Sequence, residues 1–136
     1  MLGTRFDRTT LYSVLLLFVW CGVIFAFSSM PGSGAFFDPP LWYILERKSA
    51  HVFEYAVLAS LAYRCFARFY PRETFARLGL LTAVFALTYG VSDELHQAFV
   101  FGRGSQFTDV AIDGIGIGLA LTFIALRQSK TPSVRS

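Results

Sequence analysis

Cysteine is scarce in this chain: there are two in 136 residues, Cys21 and Cys65, and both fall inside apolar runs. That excludes a disulfide framework, and with no CxxC or other zinc-ligand spacing it excludes a cysteine metal cluster as well. Charge is also thin, at 15% of residues, against about 25% in an ordinary soluble domain. The net charge of +3 comes from basic residues scattered among apolar runs rather than gathered on one polar face, which argues against a nucleic-acid partner. No internal repeat appears. Apolar and polar residues do not alternate over strand-length stretches, so a membrane barrel is excluded too.

Hydrophobic residues, in contrast, make up 54% of the chain, fifteen of them phenylalanine, and the mean hydropathy is +0.52. A soluble core of this size cannot bury so much apolar bulk. Four long apolar segments follow one another, at about 11–28, 49–70, 75–99 and 109–126. Each approaches the roughly 20 residues that a spanning helix needs, and helices satisfy their own backbone in lipid. The expected fold class is therefore all-α: a polytopic membrane protein with four transmembrane helices in a small bundle. It divides into a cytoplasmic N-terminus over 1–10, a transmembrane domain over 11–127 and a disordered cytoplasmic tail over 128–136. The alternative for the first segment is a signal peptide, since Arg5 and Arg8 precede it and Ala26-Phe27-Ser28 loosely resembles a cleavage site.

Lysine and arginine set the expected orientation. Nine of the twelve lie before the first segment, around the second connection or after the fourth segment; Arg47, Lys48 and Arg103 lie at the other end. Both termini are then expected in the cytoplasm. Phe36, Phe37, Trp42 and Tyr43 are placed at the outer membrane interface, in a stretch that is also a candidate lid. Seven of the nine acids, Asp38, Glu46, Glu54, Asp93, Glu94, Asp109 and Asp113, fall toward the outer end.

The polar residues of three segments converge there. At 100° per residue, Lys48, His51 and Glu54 fan over about 120° of the second helix. Tyr89, Asp93, His96 and Gln97 share one face of the third, with Glu94 at its edge. On the fourth, Asp109 and Asp113 stand one turn apart, and Gly116 and Ala120 continue the stripe, allowing close approach to a neighbour. The glycine-rich GIGIG at 114–118 lies inside an apolar helix, so it reads as helix packing rather than a nucleotide loop. Gly114 and Gly118 supply a small-xxx-small spacing there.

KSAHVFEY, SDELHQAFVFGR and FTDVAIDGIGIG together resemble the VanZ-like family, over about residues 10–126. The matching residues are Lys48, His51, Glu54, Tyr55, Ser92, Asp93, Glu94, His96, Gln97, Phe99, Gly102, Arg103, Asp109, Asp113 and Gly116. The resemblance implies a small four-helix bacterial inner-membrane protein. It carries a link to glycopeptide (teicoplanin) resistance through the family's name alone; no residue of this chain speaks to resistance.

Ionisable groups at membrane depth are costly and are candidates for function. Five carboxylates (Glu54, Asp93, Glu94, Asp109, Asp113) face two cations (Lys48, Arg103). A partly desolvated pocket so charged needs protons, a cation, water or further pairing. One reading makes His51, Glu54, Asp93 and His96 ligands of a divalent metal such as zinc, whose water hydrolyses a lipid-linked substrate. A metal-free variant makes His51 or His96 a general base oriented by a carboxylate. In a binding reading, Lys48, Tyr55, Ser92, Glu94, Gln97, Arg103, Asp109 and Asp113 line a site for an anionic head group of a membrane lipid or envelope precursor. The third reading is a non-catalytic scaffold, in which pairs such as Asp93 with Arg103, or Asp109 with Lys48, staple helices together. An oligomer is compatible with each.

Overall fold

The computed structural model describes residues 7–32, 40–103 and 106–130. Arg5, Phe36, Phe37, Asp38, Arg135 and the last part of the tail lie outside the described residues. Four helices account for most of the rest: α1 (Arg8–Ser28), α2 (Leu41–Phe69), α3 (Phe75–Gln97) and α4 (Phe107–Ser129).

Local chemistry sets the helix ends. The Asp7 carboxylate caps α1 by accepting from the Thr10 amide at 2.8 Å. Tyr70 precedes Pro71 and so is biased out of helical geometry, and α2 stops at Phe69. Thr74 caps α3. Asp109 lies in the first turn of α4, where the positive end of the helix dipole favours a carboxylate.

α2 begins at Leu41, eight residues ahead of the apolar run that marks it in the sequence. Pro40 supplies the start, and the polar Glu46-Arg47-Lys48 turn hides the first two turns from a hydropathy reading. α1, α3 and α4 are each long and apolar enough to cross a bilayer. α2 is less apolar, and its position accounts for that: it packs against each of the other three helices and most extensively on α4. A central helix meets protein more than lipid, so it can hold polar groups that find partners. Large apolar side chains such as Phe18, Val19, Leu80, Leu119 and Phe123 are exposed on the outer helices, facing the lipid.

α1 joins the bundle through Leu17 and Ile24 in the core, the Trp20 indole donating to the Glu54 carbonyl at 2.9 Å, and the Tyr89 hydroxyl donating to the Cys21 carbonyl at 2.6 Å. α2 and α4 meet where a Cβ added at Gly116 would collide with the Val52 carbonyl oxygen. Gly114 and Gly118 do not make that contact: a Cβ at Gly118 has nothing within 4 Å, and one at Gly114 would reach only Leu87, at 3.9 Å. The packing stripe therefore runs through Gly116 and Ala120, both buried.

The helices run up and down. At one end the Gln128 amide donates to the Tyr63 hydroxyl at 2.9 Å, and Asp7 shares a surface hollow with Arg64 and Arg68. At the other end the Gly32 amide donates to the Phe101 carbonyl at 3.1 Å, tying the two connections together. The first end carries Arg8, Arg64, Arg68, Arg72, Arg77, Arg127 and Lys130; the second carries Arg47, Lys48 and Arg103 and most of the acids.

Candidate functional site

His51 stands at the centre of the acidic end. Its Nδ1 lies 2.9 Å from Asp113 Oδ1, joining α2 to α4. A carboxylate only accepts, so Nδ1 carries a proton, and in the neutral imidazole Nε2 is the nitrogen with a free lone pair. The imidazole lies parallel to the Tyr55 ring one turn along, with centroids 6.4 Å apart. One turn toward the start of α2, Lys48 Nζ reaches Asp109 Oδ1 at 3.0 Å. The i, i+4 spacing of the two aspartates matches the i, i+3 spacing of Lys48 and His51, so two polar rungs, one an ion pair and one a hydrogen bond, link the same helices.

α3 adds three buried polar groups. Asp93 accepts from the Gln97 amide at 2.8 Å. Glu94 accepts from the Gln106 backbone amide at 2.9 Å through Oε2 and thereby fixes the start of α4. Its carboxylate also meets His51 and Asp109: one ligand-type atom from each of the three lies within 4.8 Å of the other two, and all three residues are buried. His96 turns elsewhere. The Ser29 hydroxyl donates to the Phe25 carbonyl at 2.7 Å, so His96 Nε2, 3.0 Å from Ser29 Oγ, is the donor to it. The imidazole also lies on the Phe25 ring with centroids 4.6 Å apart. His96 thus ties α3 to α1. Ser92 donates to the Tyr89 carbonyl of its own helix and is exposed.

Two cavities flank His51. One, of about 320 Å³, opens between α2 and α4 and is lined by Arg47, Lys48, His51, Gln106 and Asp109, with Tyr43 and Ile44. The other, of about 260 Å³, lies toward α1 and α3 and takes in Arg47, Arg103, His51, Glu54 and Asp93, with Gln97 and Ser28. Arg47 and His51 belong to both. Burial lowers the pKa of Arg103, in the connection before α4, and the nearby Arg47 charge adds to that while Asp93 and Glu54 oppose it.

Several buried polar atoms of this end have no hydrogen-bond partner among the described residues: Tyr55 Oη, Glu94 Oε1, Gln97 Oε1, Asp113 Oδ2 and Ser28 Oγ. Three of these are acceptors that need a donor or a cation. Such orphans are rare in native interiors and each needs an explanation.

A family model described as VanZ/LLP1 matches residues 13–128. The chain belongs to the VanZ/LLP1 family. No curated protein and no solved structure matches it. Family membership and the apolar helices make this a VanZ/LLP1 membrane protein. Every polar group of the acidic end described above lies within the matched span.

Sequence reasoning brought Lys48, His51, Asp109, Asp113 and Glu94 toward one another, but it used Arg47 only to set the orientation of the chain. Its place beside Lys48, one turn before His51, was the available signal. It also passed over Gly90, where a Cβ would stand 2.9 Å from Asp113 Oδ2. Gly90 lies one turn before Asp93 on the same helix, and that spacing was visible.

Proposed function

We propose that this VanZ/LLP1 protein binds the anionic head group of a membrane lipid or lipid-linked envelope precursor at the acidic end of its bundle. It would sit as a multi-pass protein in a bacterial inner membrane with both termini in the cytoplasm. One observation carries the binding reading: Arg47 borders both cavities, with Lys48 beside it in one and Arg103 in the other. Three cations thus rim a floor of buried carboxylates. Guanidinium groups grip phosphate oxygens in pairs, and the ammonium adds a point charge. Phe99, Phe101 and Phe107, all exposed around the α3–α4 connection, suit the interfacial depth at which lipid head groups lie. The excess of lysine and arginine at the opposite end supports the orientation.

A second reading, hydrolysis of a lipid-linked substrate, is favoured by the His51–Asp113 contact, which holds the imidazole as a general base is held. The two part on whether the bound molecule is returned intact.

The test is a titration of the purified full-length chain with short-chain phosphatidic acid, with phosphatidylcholine as the comparison. Emission of the two tryptophans, Trp20, hydrogen-bonded at Glu54, and Trp42, reports occupancy. Saturable binding of the phosphate monoester is expected. Replacing Arg47 and Lys48 by glutamine removes two charge-assisted bonds worth about 1.5–3 kcal/mol each, so affinity should fall at least tenfold. Equal binding of both lipids, or unchanged affinity in the double variant, would end the reading.

A further inference from the structure

We propose that His51, Glu94 and Asp109 form a binding site for one divalent transition-metal ion of the zinc or manganese class. Three helices supply one donor each: α2 gives the imidazole, the last turn of α3 gives the Glu94 carboxylate and the first turn of α4 gives the Asp109 carboxylate. Their ligand-type atoms lie within 4.8 Å of one another. Donors about 2.0–2.2 Å from one ion stand roughly 3–4.4 Å apart, so small side-chain rotations bring the set onto a single centre.

A second observation points to a ligand independently. Glu94 is 3% exposed, and its two oxygens differ. Oε2 accepts the Gln106 amide, while Oε1 is buried with no hydrogen-bond partner among the described residues. A buried carboxylate oxygen without a donor is expensive, and a cation is the partner that neighbouring carboxylates attract most strongly. Asp109 already holds one cation, the Lys48 ammonium.

The surroundings of His51 fit the same role. Metal-ligating histidines characteristically donate their second ring N–H to a carboxylate, which fixes the tautomer and raises ligand basicity. Asp113 makes that bond to Nδ1 at 2.9 Å, leaving Nε2 with its lone pair. Asp113 is therefore a positioning residue and His51 the ligand. One nitrogen and two carboxylates suit zinc or manganese; calcium takes six to eight oxygens instead. Three protein donors would leave a coordination position for water or a head-group oxygen, and His51 and Asp109 border the Arg47–Lys48 cavity. Glu54 and Asp93 border the cavity on the far side of His51, and His96 is held by Ser29, so none of them belongs to this set.

The test uses the full-length chain without an affinity tag, stripped with chelator in detergent and titrated with zinc or manganese alone. Elemental analysis should find one ion per chain. Glu94→Gln and His51→Ala should each weaken binding at least about tenfold, with helical circular dichroism and monodisperse elution retained. Glu73→Gln, at the opposite end, should bind as wild type. X-ray absorption at the metal edge of the wild-type protein should show oxygen donors and one imidazole, which keeps the proposal testable if a variant fails to fold. Absence of a stoichiometric ion, wild-type affinity in Glu94→Gln, or an absorption spectrum with sulfur or several imidazoles would overturn it. The probe is the metal alone, so this outcome is separable from that of the lipid titration.

Discussion

His51 Nδ1 and Asp113 Oδ1 are 2.9 Å apart, although 62 positions separate them in the chain. Both side chains are almost wholly removed from solvent. This contact and the Lys48–Asp109 pair above it hold the most extensive helix interface of the bundle, α2 on α4. Apolar burial adds little to helix association in lipid, so interhelical polar contacts carry more of the specificity there than in water. Asp113→Ala should therefore lower stability by about 1–3 kcal/mol, because it leaves a buried imidazole N–H unsatisfied. Asp113→Asn keeps an acceptor oxygen of the same shape and should cost less. Thermal unfolding in a fixed detergent gives the order; equal loss in the two variants would contradict it.

Asp7 lies outside the membrane-spanning part of α1, and its pKa is held down at about 2, well below the ordinary aspartate value of 3.8. The Thr10 backbone amide is the main cause, followed by the Thr9 and Thr10 hydroxyls. A depressed carboxylate adds stability above its unfolded pKa and loses it as pH falls through the folded one. The stability difference between wild type and Asp7→Ala should thus be constant near neutrality and should shrink as pH drops from 3.8 through about 2. A difference that grows on acidification would refute the capping role.

α1 is the least tied of the four helices. It packs on α2, touches α3 slightly and makes no contact with α4 among the described residues. Tyr89 Oη to the Cys21 carbonyl is one of its few polar tethers. Tyr89→Phe should remove about 0.5–1.5 kcal/mol, and the loss should be local. Hydrogen exchange over 18–28 should speed up while α2 and α4 keep wild-type protection. Uniform acceleration across the bundle would instead make Tyr89 part of a global core.

The apolar runs made α1, α3 and α4 legible from sequence to within a few residues, because length and hydropathy alone decide them. The start of α2 was not legible, since Glu46, Arg47 and Lys48 interrupt the run that marks it. The Lys48–Asp109 rung could be read from sequence as a helix staple, whereas the His51–Asp113 rung, one turn along, emerges only from the packing of α2 on α4. The α3 face could not be resolved the same way. Tyr89, Asp93, His96 and Gln97 share one face of the helix, yet that face borders two neighbours. Tyr89 and His96 meet α1, while Asp93 and Gln97 are buried toward the site. The rotation of one helix against the next depends on packing that no single segment records. For the same reason Glu94, at the edge of that face, is the acid that reaches the start of α4.

Gly90 and Gly79 lie on the same helix and should respond oppositely to alanine. Both are buried, and alanine in a helix interior is favoured over glycine by about 0.8–1.0 kcal/mol. At Gly79 an added Cβ meets nothing within 4 Å, so the propensity gain stands and Gly79→Ala should stabilise the protein by up to that amount. At Gly90 the Cβ would stand 2.9 Å from Asp113 Oδ2 and 3.3 Å from Tyr55 Cε1. Neither neighbour can yield freely: Asp113 is bonded to His51, and Tyr55 is wholly buried. Overpacking of this kind costs about 1–3 kcal/mol, which equals or outweighs the gain. Gly90→Ala should therefore be neutral to destabilising by about 2 kcal/mol on balance. It should also push the Asp113 carboxylate off the imidazole, so His51 chemical shifts should move in Gly90→Ala and not in Gly79→Ala. Stabilisation by both substitutions, with His51 unmoved, would mean that α3 does not press on the Asp113 carboxylate at all.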